Sequence, residues 1–427
     1  MGTYNALLGI PVLLGICYAF SNNRKKINTR LVGFGIGLQV LFAFLILRTS
    51  SGRWLFQQLN DVVLKILSFT DAGASFVFGS LVENKSTFGF IFAFNVLPTI
   101  VFFSAFMAIL YHLGIMQKVV YVIALLMQKT MGTSGAESLS AAANIFVGQT
   151  EAPLVIKPYV SKMTQSELLC VMTGGMATIA GGVMAGYVGM LKDSIPGIAG
   201  YLMAASCMAA PAALTLAKIL IPETNVPETS GKLELKTESI DSNVIDACAR
   251  GCSEGMGLAI NVAAMLIGFT AMIAMLSFFW ESIATFLGIT SYTSLDSVIG
   301  LLLSPFAWLI GVPNSDISVA GSLIGKKIIL NEFVAYAELQ KYVTDDTLIM
   351  LPKTQMLLSY ALCGFANFSS IGIQIAGIGG LAPERRSELA QLALRALLAG
   401  AFASFLTASI AGLFYIEPVI SEAAKAM

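Results

Sequence analysis

The chain predicts an all-α polytopic membrane protein, with about eight transmembrane helices plus two re-entrant hairpins in an inverted repeat, and interfacial helices beside them. Three observations carry this. Of 427 residues, 56% are hydrophobic and only 12% charged, where a soluble globular protein carries roughly 25% charge. Apolar runs reach about 20 residues, the length that crosses a hydrocarbon core. Two further apolar stretches are interrupted by Gly, Pro and polar side chains. Broken backbone at membrane depth is tolerated only inside protein or against a watery cavity.

The elements follow in order. Ala6 to Phe20 is apolar and is followed by Asn22-Asn23-Arg24-Lys25-Lys26. That polarity is wrong for a cleaved signal peptide and right for a first span whose C-terminal end is cytoplasmic. Spans are expected at 5–20, 31–47 and 90–112. Between the last two, Leu55, Leu59, Val62, Val63 and Ile66 recur at helical spacing opposite Gln58, Asp61 and Lys65, which fits a helix lying in the interface or packed on another subunit. A second such segment is expected at 115–131.

Glu137 to Lys157 is apolar but broken at Gly148-Gln149-Thr150-Glu151-Ala152-Pro153. Each half is too short to cross, so the segment reads as a hairpin that enters and leaves on one side. Spans follow at 166–190 and 198–220, the first carrying Gly174 to Gly182, a run that invites unwinding. A polar linker, 222–243, precedes a span at 256–287. The pattern then repeats. Asp296 to Tyr336 is interrupted at Gly311-Val312-Pro313-Asn314-Ser315-Asp316 and carries Asn331-Glu332. A span at 354–376 holds Gly364 to Ser370, and a last span covers 389–415. Counting crossings puts the first hairpin on the cytoplasmic side, the second outside, and both termini outside. Arg24, Lys25, Lys26, Lys157, Lys162, Arg385 and Arg386 then fall inside; Lys326 and Lys327 do not, and belong with the outer hairpin. The expected organisation is scaffold helices with an interfacial helix (1–114), a first transport repeat (115–221), a loop and interfacial helix (222–254), a scaffold helix (255–290) and a second transport repeat (291–427).

Composition excludes several functions. Basic and acidic residues balance, 25 against 25, so nothing points to nucleic acid. The six cysteines lie mostly in apolar segments and read as small buried hydrophobes. Cys248 and Cys252 are one helical turn apart but have no second ligand pair for zinc. His112 is the only histidine, reads as a helix-end residue, and argues against His-dependent triads. An ionisable residue at membrane depth is a functional-site candidate by default. Paired interrupted segments are the sequence pointer to a secondary transporter's site. A channel would need a continuous polar pore, which occluded broken hairpins do not supply.

GQTEAP at 148–153 after NIFV, NEFVAY at 331–336 and GFANFSSIGI at 364–373 resemble the concentrative nucleoside transporters of the sodium-coupled bacterial branch. The resemblance spans essentially the whole chain, and three motifs in order are specific where one is weak. It implies a homotrimeric symporter of the bacterial plasma (inner) membrane with no enzymatic activity and no cofactor, in which the transport domain moves past the scaffold while sodium drives nucleoside import. It implies that Gln149, Thr150 and Glu151 face the base, that Glu332, Asn367 and Ser370 face the ribose, and that Phe365 is a wall. Chemistry agrees: ribose hydroxyls need acceptors, and a base edge both donates and accepts, as an amide does. It implies a sodium site at Asn144, the Val147 carbonyl, Thr178 and the Ile179 carbonyl. Thr178 stands where serine is common, and the second tip at 313–316 departs from the family's more usual Asn-Glu. Proton-coupled relatives tend to lose the asparagine, so Asn144 favours sodium over the proton-coupled alternative.

The same residues have structural readings. Gln149 and Thr150 would serve as helix-end caps, Glu151 as a partner for Lys157, and Glu332 as the end of the hairpin. Asn367 and Ser370 would join neighbouring helices, and Phe365 would pack. Ser315 and Asp316 face either the pocket or water.

Overall fold

A computed structural model describes residues 2–83, 91–231, 241–289, 293–345 and 350–415. Among them every regular element is a helix, so the all-α expectation holds. Among the described residues, six helices are long and apolar enough to cross a membrane. Part of the 222–243 linker lies outside the described residues.

Helices α1 (Gly2–Ala19) and α2 (Thr29–Arg48) match the first two expected spans. The interfacial candidate is longer than expected, a single helix α3 (Ser50–Phe78) capped by Thr49. A one-turn helix at Phe92–Asn95 leads into α4 (Leu97–His112), and α5 (Ile115–Met131) follows where the second amphipathic segment was expected.

The first hairpin begins with α6 (Gly135–Ala143), opened by a capping box between Ser134 and Glu137. Its second limb is not a full helix. Ala152–Ile156 is 3-10 and Lys157–Val160 is one turn, because Pro153 and Pro158 remove two backbone donors within six residues. The interrupted helix is α7 (Gln165–Ala177) and α8 (Gly181–Leu191), with Thr178 and Ala180 extended between them. Then comes α9 (Ile198–Leu220).

The next helix corrects two expectations. Residues 244–254 and the scaffold span are one element, α10 (Val244–Phe286), 43 residues long. At 1.5 Å per residue it extends about 65 Å, twice a hydrocarbon core. No proline interrupts it, and its polar first turns are held by Asn243 as cap and by Arg250, which pairs with Asp241 at 2.6 Å and Glu254 at 2.8 Å. Gly251 and Gly255 let it lie on α4: a Cβ on Gly251 would come within 2.6 Å of Ala105 Cα, and one on Gly255 within 2.8 Å of Val101 Cα. This is the close backbone approach that small residues permit in membranes. Only 6% of its most apolar window is buried, against 94% for α7–α8 and 89% for α9. The chain thus has an apolar shell around a densely packed inner unit.

The second repeat comprises α11 (Leu295–Leu309), α12 (Ile317–Ile329), α13 (Glu332–Thr344), α14 (Pro352–Ala361), α15 (Phe368–Leu381) and α16 (Arg386–Leu413). Here the sequence expectation misplaced the hairpin tip. Gly311 (φ +93°) and Pro313 form a tight turn between α11 and α12, and α11 corresponds to α5. The hairpin is α12–α13, with its tip at Leu330–Asn331. Gly and Pro are strong turn signals and drew the assignment to 311–316, while a lone Asn cap at 331 is a weaker one.

A matched pair of hydrogen bonds shows that the two repeats share one plan. In the first, Ser134, the N-cap of α6, donates from Oγ to Glu167, the third residue of α7, at 2.6 Å. In the second, Asp316 immediately precedes α12 and accepts from Thr354 Oγ1, the third residue of α14, at 2.5 Å. Position is kept and donor and acceptor are exchanged. Asp316 also accepts from Leu351 N at 3.0 Å and Ser315 Oγ at 2.7 Å, so both residues are structural here and neither faces the site.

The base of the first hairpin is tied by a buried ion pair. Lys218 near the end of α9 contacts Glu137 at 2.8 Å and Glu223 at 3.1 Å, and the Lys218 and Glu137 side chains are 6% and 2% exposed. Removing one partner of such a pair leaves an uncompensated buried charge costing about 3–5 kcal/mol. Lys218→Ala should therefore lower the thermal unfolding temperature in detergent far more than Lys162→Ala, whose partner Glu228 is in water.

Candidate substrate and ion site

The two interrupted helices meet at their breaks. Gly364 takes φ +134°, and a Cβ there would sit 2.8 Å from the Ala177 carbonyl oxygen. That glycine lets the second break lie against the first, and Phe365 N donates to Thr178 O at 3.2 Å. The first hairpin tip closes on the same place, since Gly181 N at the start of α8 donates to Phe146 O at 2.9 Å. Helix α16 packs behind both, with Gly400 against Met176 and Ala177.

Polar side chains converge around this crossing. Gln149 Nε2 donates to Ser370 Oγ at 3.1 Å, linking hairpin one to α15 across 221 positions of sequence. Glu332, the first residue of α13, accepts from Asn367 Nδ2 at 2.9 Å and from Tyr187 OH of α8 at 3.0 Å. Asn367 is also the N-cap of α15, its Oδ1 accepting from Ser370 N at 2.8 Å and Ser369 Oγ at 2.7 Å. Gln149, Glu332, Asn367 and Ser370 are all buried, at 6%, 3%, 2% and 1% exposure. One network thus joins Gln149, Glu332, Asn367 and Ser370, which the sequence had placed in three separate motifs.

The remaining predicted residues lie at its edge. Thr150 is half-buried and packs on Gly377 of α15, where a Cβ would meet its Cγ2 at 2.8 Å. Glu151 is exposed, its carboxylate taking the room that a side chain on Gly148 would need, and no ion pair joins it to Lys157 among the described residues. Phe365 is half-buried at the second break.

The four predicted ion ligands also lie together. Asn144 is the C-cap of α6, and its Nδ2 sits against Gly174 of α7 while donating to Ser140 O at 3.0 Å. Its Oδ1 is buried with no hydrogen-bond partner, as is Gln149 Oε1. Thr178 Oγ1 donates to Gly174 O at 2.9 Å, leaving its lone pairs available. No turn or cap hydrogen bond among the described residues ends on the Val147 or Ile179 carbonyl. Buried oxygens without donors beside the C-terminal ends of two short helices suit a hard monovalent cation. Among the described residues no group of three or more His, Cys, Asp or Glu gathers as a metal centre.

Sequence reasoning missed three members of this assembly. Tyr187 orients Glu332 but sits in a span with no polar neighbours to flag it. Gln374 is fully buried, its Nε2 donating to Met172 O at 2.9 Å and its Oε1 unpaired; an amide in the apolar run Ile371-Gly372-Ile373-Gln374-Ile375-Ala376-Gly377 carries the same signal that singled out Gln149. Gly175 leaves the space both glutamines occupy, since a Cβ there would fall 2.6 Å from Gln374 Nε2 and 2.8 Å from Gln149 Cβ.

Comparison with known proteins now decides the family. Three models match in sequence order: the N-terminus of Na+-dependent nucleoside transporters over residues 8–81, a nucleoside recognition (Gate) domain over 93–194, and the C-terminus of the same transporters over 201–412. Helicobacter pylori nucleoside permease NupC is 42% identical, with 96% of this chain and 97% of that protein aligned. The chain belongs to the Na+-dependent (concentrative) nucleoside transporter family. An uncharacterized transporter of Haemophilus influenzae is 48% identical over 97% of this chain and 98% of its own length. Mouse sodium/nucleoside cotransporter 1 is 42% identical over 96% of this chain, which spans 63% of that longer protein. Among solved structures, CNTnw in an inward-facing substrate-bound state matches with a TM-score of 0.90 at 44% identity, over 97% of this chain and 98% of that one. A doubly substituted CNTnw in an outward-facing state matches at 0.89 and 43% identity, with the same coverage. The protein is therefore a membrane-embedded nucleoside transporter, not an enzyme, with sodium as its coupling ion.

Gly175→Ala tests the site's packing. The added methyl must displace Gln149 or Gln374, so nucleoside uptake should fall at least tenfold while the protein still reaches the membrane and purifies as wild type does. Uptake within twofold of wild type would show that neither glutamine's position matters.

Proposed function

We propose that this transporter imports nucleosides, uridine-like pyrimidine nucleosides and purine nucleosides among them, by symport with sodium in the bacterial plasma (inner) membrane. The observation that carries the site assignment is the Gln149–Ser370–Asn367–Glu332 network at the crossing of the two helix breaks. Glu332 has two oxygens, each accepting one hydrogen bond from protein, so each keeps a lone pair for a ribose hydroxyl. Asn367 and Ser370 complete the ribose side. Gln149 offers a free carbonyl oxygen to an N–H on the base edge, while Thr150 and Glu151 border it and Phe365 forms an apolar wall.

Sodium takes oxygens from Asn144, Thr178 and the Val147 and Ile179 carbonyls. The unpaired Asn144 Oδ1 and the free carbonyls support that set. Because the tip that holds Gln149 also holds Val147, and the break that holds Thr178 also receives Phe365, ion binding orders the walls of the nucleoside pocket. That gives the differential affinity any coupling mechanism requires. One Na+ entering is worth about 2.3 kcal/mol per 100 mV, besides its concentration gradient, which allows roughly fiftyfold accumulation per 100 mV.

For movement, α1–α4 and α10 act as scaffold and the packed unit of α5–α9 and α11–α16 as the transport domain, which rises and sinks as a body past the scaffold. The contrast in burial between α10 and α7–α9 supports this division. The apolar outer face of the scaffold suits lipid and the neighbouring protomers of a homotrimer, and both termini lie outside.

Glu332→Ala and Gln149→Ala should each remove uridine uptake in proteoliposomes while the oligomer survives size-exclusion chromatography; normal uptake by both variants would sink the substrate assignment. Asn144→Ala should flatten the dependence of uptake on sodium concentration more than it lowers the melting temperature. An unchanged sodium response in that variant would move the cation elsewhere.

A further inference from the structure

Gln374 of α15 is fully buried, yet only half of its amide is used. Nε2 donates to the Met172 carbonyl of α7 at 2.9 Å, and Oε1 has no hydrogen-bond partner. A carbonyl only accepts, so the bond to Met172 fixes which end of the amide is the nitrogen and turns Oε1 the other way. A buried acceptor without a donor is costly and calls for a reason. The proposed nucleoside and sodium sites give Gln374 no task.

Its position supplies one. Ser370, Gln374 and Gly377 stand at i, i+4 and i+7 on α15, so they form one stripe along the helix. The tip of the first hairpin lies along that stripe. At one end, Gln149 Nε2 donates to Ser370 Oγ at 3.1 Å. At the other, Thr150 meets Gly377, its Cγ2 2.8 Å from where a Cβ would be. Gln374 falls between these two contacts. Gly175 of α7 lets the two glutamines meet, because the point its Cβ would occupy is 2.6 Å from Gln374 Nε2 and 2.8 Å from Gln149 Cβ. A rotamer change therefore brings the Gln149 amide within hydrogen-bonding reach of Gln374.

The proposed site makes two demands on the same atoms. Ser370 faces ribose and Gln149 faces the base, but here each holds the other. A ribose hydroxyl donating to Ser370 Oγ competes with Gln149 Nε2 for that oxygen. An amide N–H displaced inside the protein must find another acceptor. Gln374 Oε1 is such an acceptor, one helical turn along the stripe.

We propose that Gln374 is the second acceptor for Gln149. The tip is held to α15 through Ser370 in one arrangement, and through Gln374 when a nucleoside takes Ser370. Gln374 is a positioning residue: it acts through Gln149 and does not touch the nucleoside. The exchange leaves no buried N–H unmatched, and it keeps Gln149 at the wall from which Oε1 meets the base. The inference rests on the proposed nucleoside site.

The test is a melting cycle on purified full-length protein, without and with uridine. Gln374→Met keeps the side-chain length and removes both polar atoms. Without uridine it should melt close to wild type, because Ser370 still holds Gln149 and an orphaned oxygen leaves together with the Met172 bond. Ser370→Ala should also melt close to wild type, because Gln149 then turns to Gln374. The double variant deprives Gln149 Nε2 of both acceptors, and should melt several degrees below the sum of the single effects. In a Gln149→Ala background the same two substitutions should become additive. The uridine concentration that half-saturates stabilisation should rise about tenfold in Gln374→Met. Additive shifts in the Gln149 protein would overturn the proposal, and so would wild-type uridine affinity in Gln374→Met. A Gln374→Met single variant destabilised as much as the double would overturn it too, reducing Gln374 to a brace on Met172. If the double variant yields no folded protein, the uridine titration of Gln374→Met decides. A wild type that does not respond to uridine would refute the nucleoside site instead, and the melting cycle, which needs no nucleoside, would still judge the second acceptor.

Discussion

Everything in the inner unit depends on the contact between two broken helices. A break deep in a membrane protein exposes backbone donors and acceptors that water cannot reach, and each costs several kcal/mol unless it is matched. Here each break is matched by another interrupted segment. Thr178 O receives Phe365 N, Phe146 O receives Gly181 N, and Asn367 caps the helix that restarts after the second break. Gly364 is required because no other residue tolerates both its positive φ and its approach to Ala177. Some buried polar atoms, Asn144 Oδ1 and Gln149 Oε1 among them, are not consumed by this mutual matching, and these are the ones the proposed reading gives to an ion and a polar solute.

In the proposed reading this makes substrate and ion chemistry inseparable. Gln149 and Val147 share one tip; Thr178 and Phe365 share one hydrogen bond; Glu332 is held by Tyr187 from α8 and by Asn367 from the second break. A cation that draws the Val147 carbonyl and the Thr178 hydroxyl together fixes the wall from which Gln149 reaches Ser370. Coupling then needs no long pathway, because the two proposed sites are built from the same few turns of backbone.

Much of this was legible in the sequence, for physical reasons. Polar residues in apolar stretches are rare enough to stand out, so Gln149, Glu332, Asn367 and Ser370 are conspicuous in the sequence, and the structure brings them into one network. Helix existence followed from apolar length. Register did not. The strong Gly-Pro signal at 311–316 hid the quieter tip at Leu330–Asn331, and the 43 residues of α10 were divided because polarity changes along them although the backbone does not break. Tyr187 was missed because a tyrosine in an apolar span looks like packing until its hydroxyl is seen on Glu332. The exchange of Ser134–Glu167 for Asp316–Thr354 could not be read from similarity at all, since it preserves a contact while swapping its chemistry.

The measurement that bears most directly on this account is uptake of labelled uridine into proteoliposomes under an inward sodium gradient, compared with choline at fixed pH. The account predicts accumulation above equilibrium with sodium and only equilibration without it. Sodium-independent accumulation that follows a pH step would contradict the ion site at the first break. Absence of uridine uptake by folded protein under either gradient would contradict the substrate assigned to the crossing.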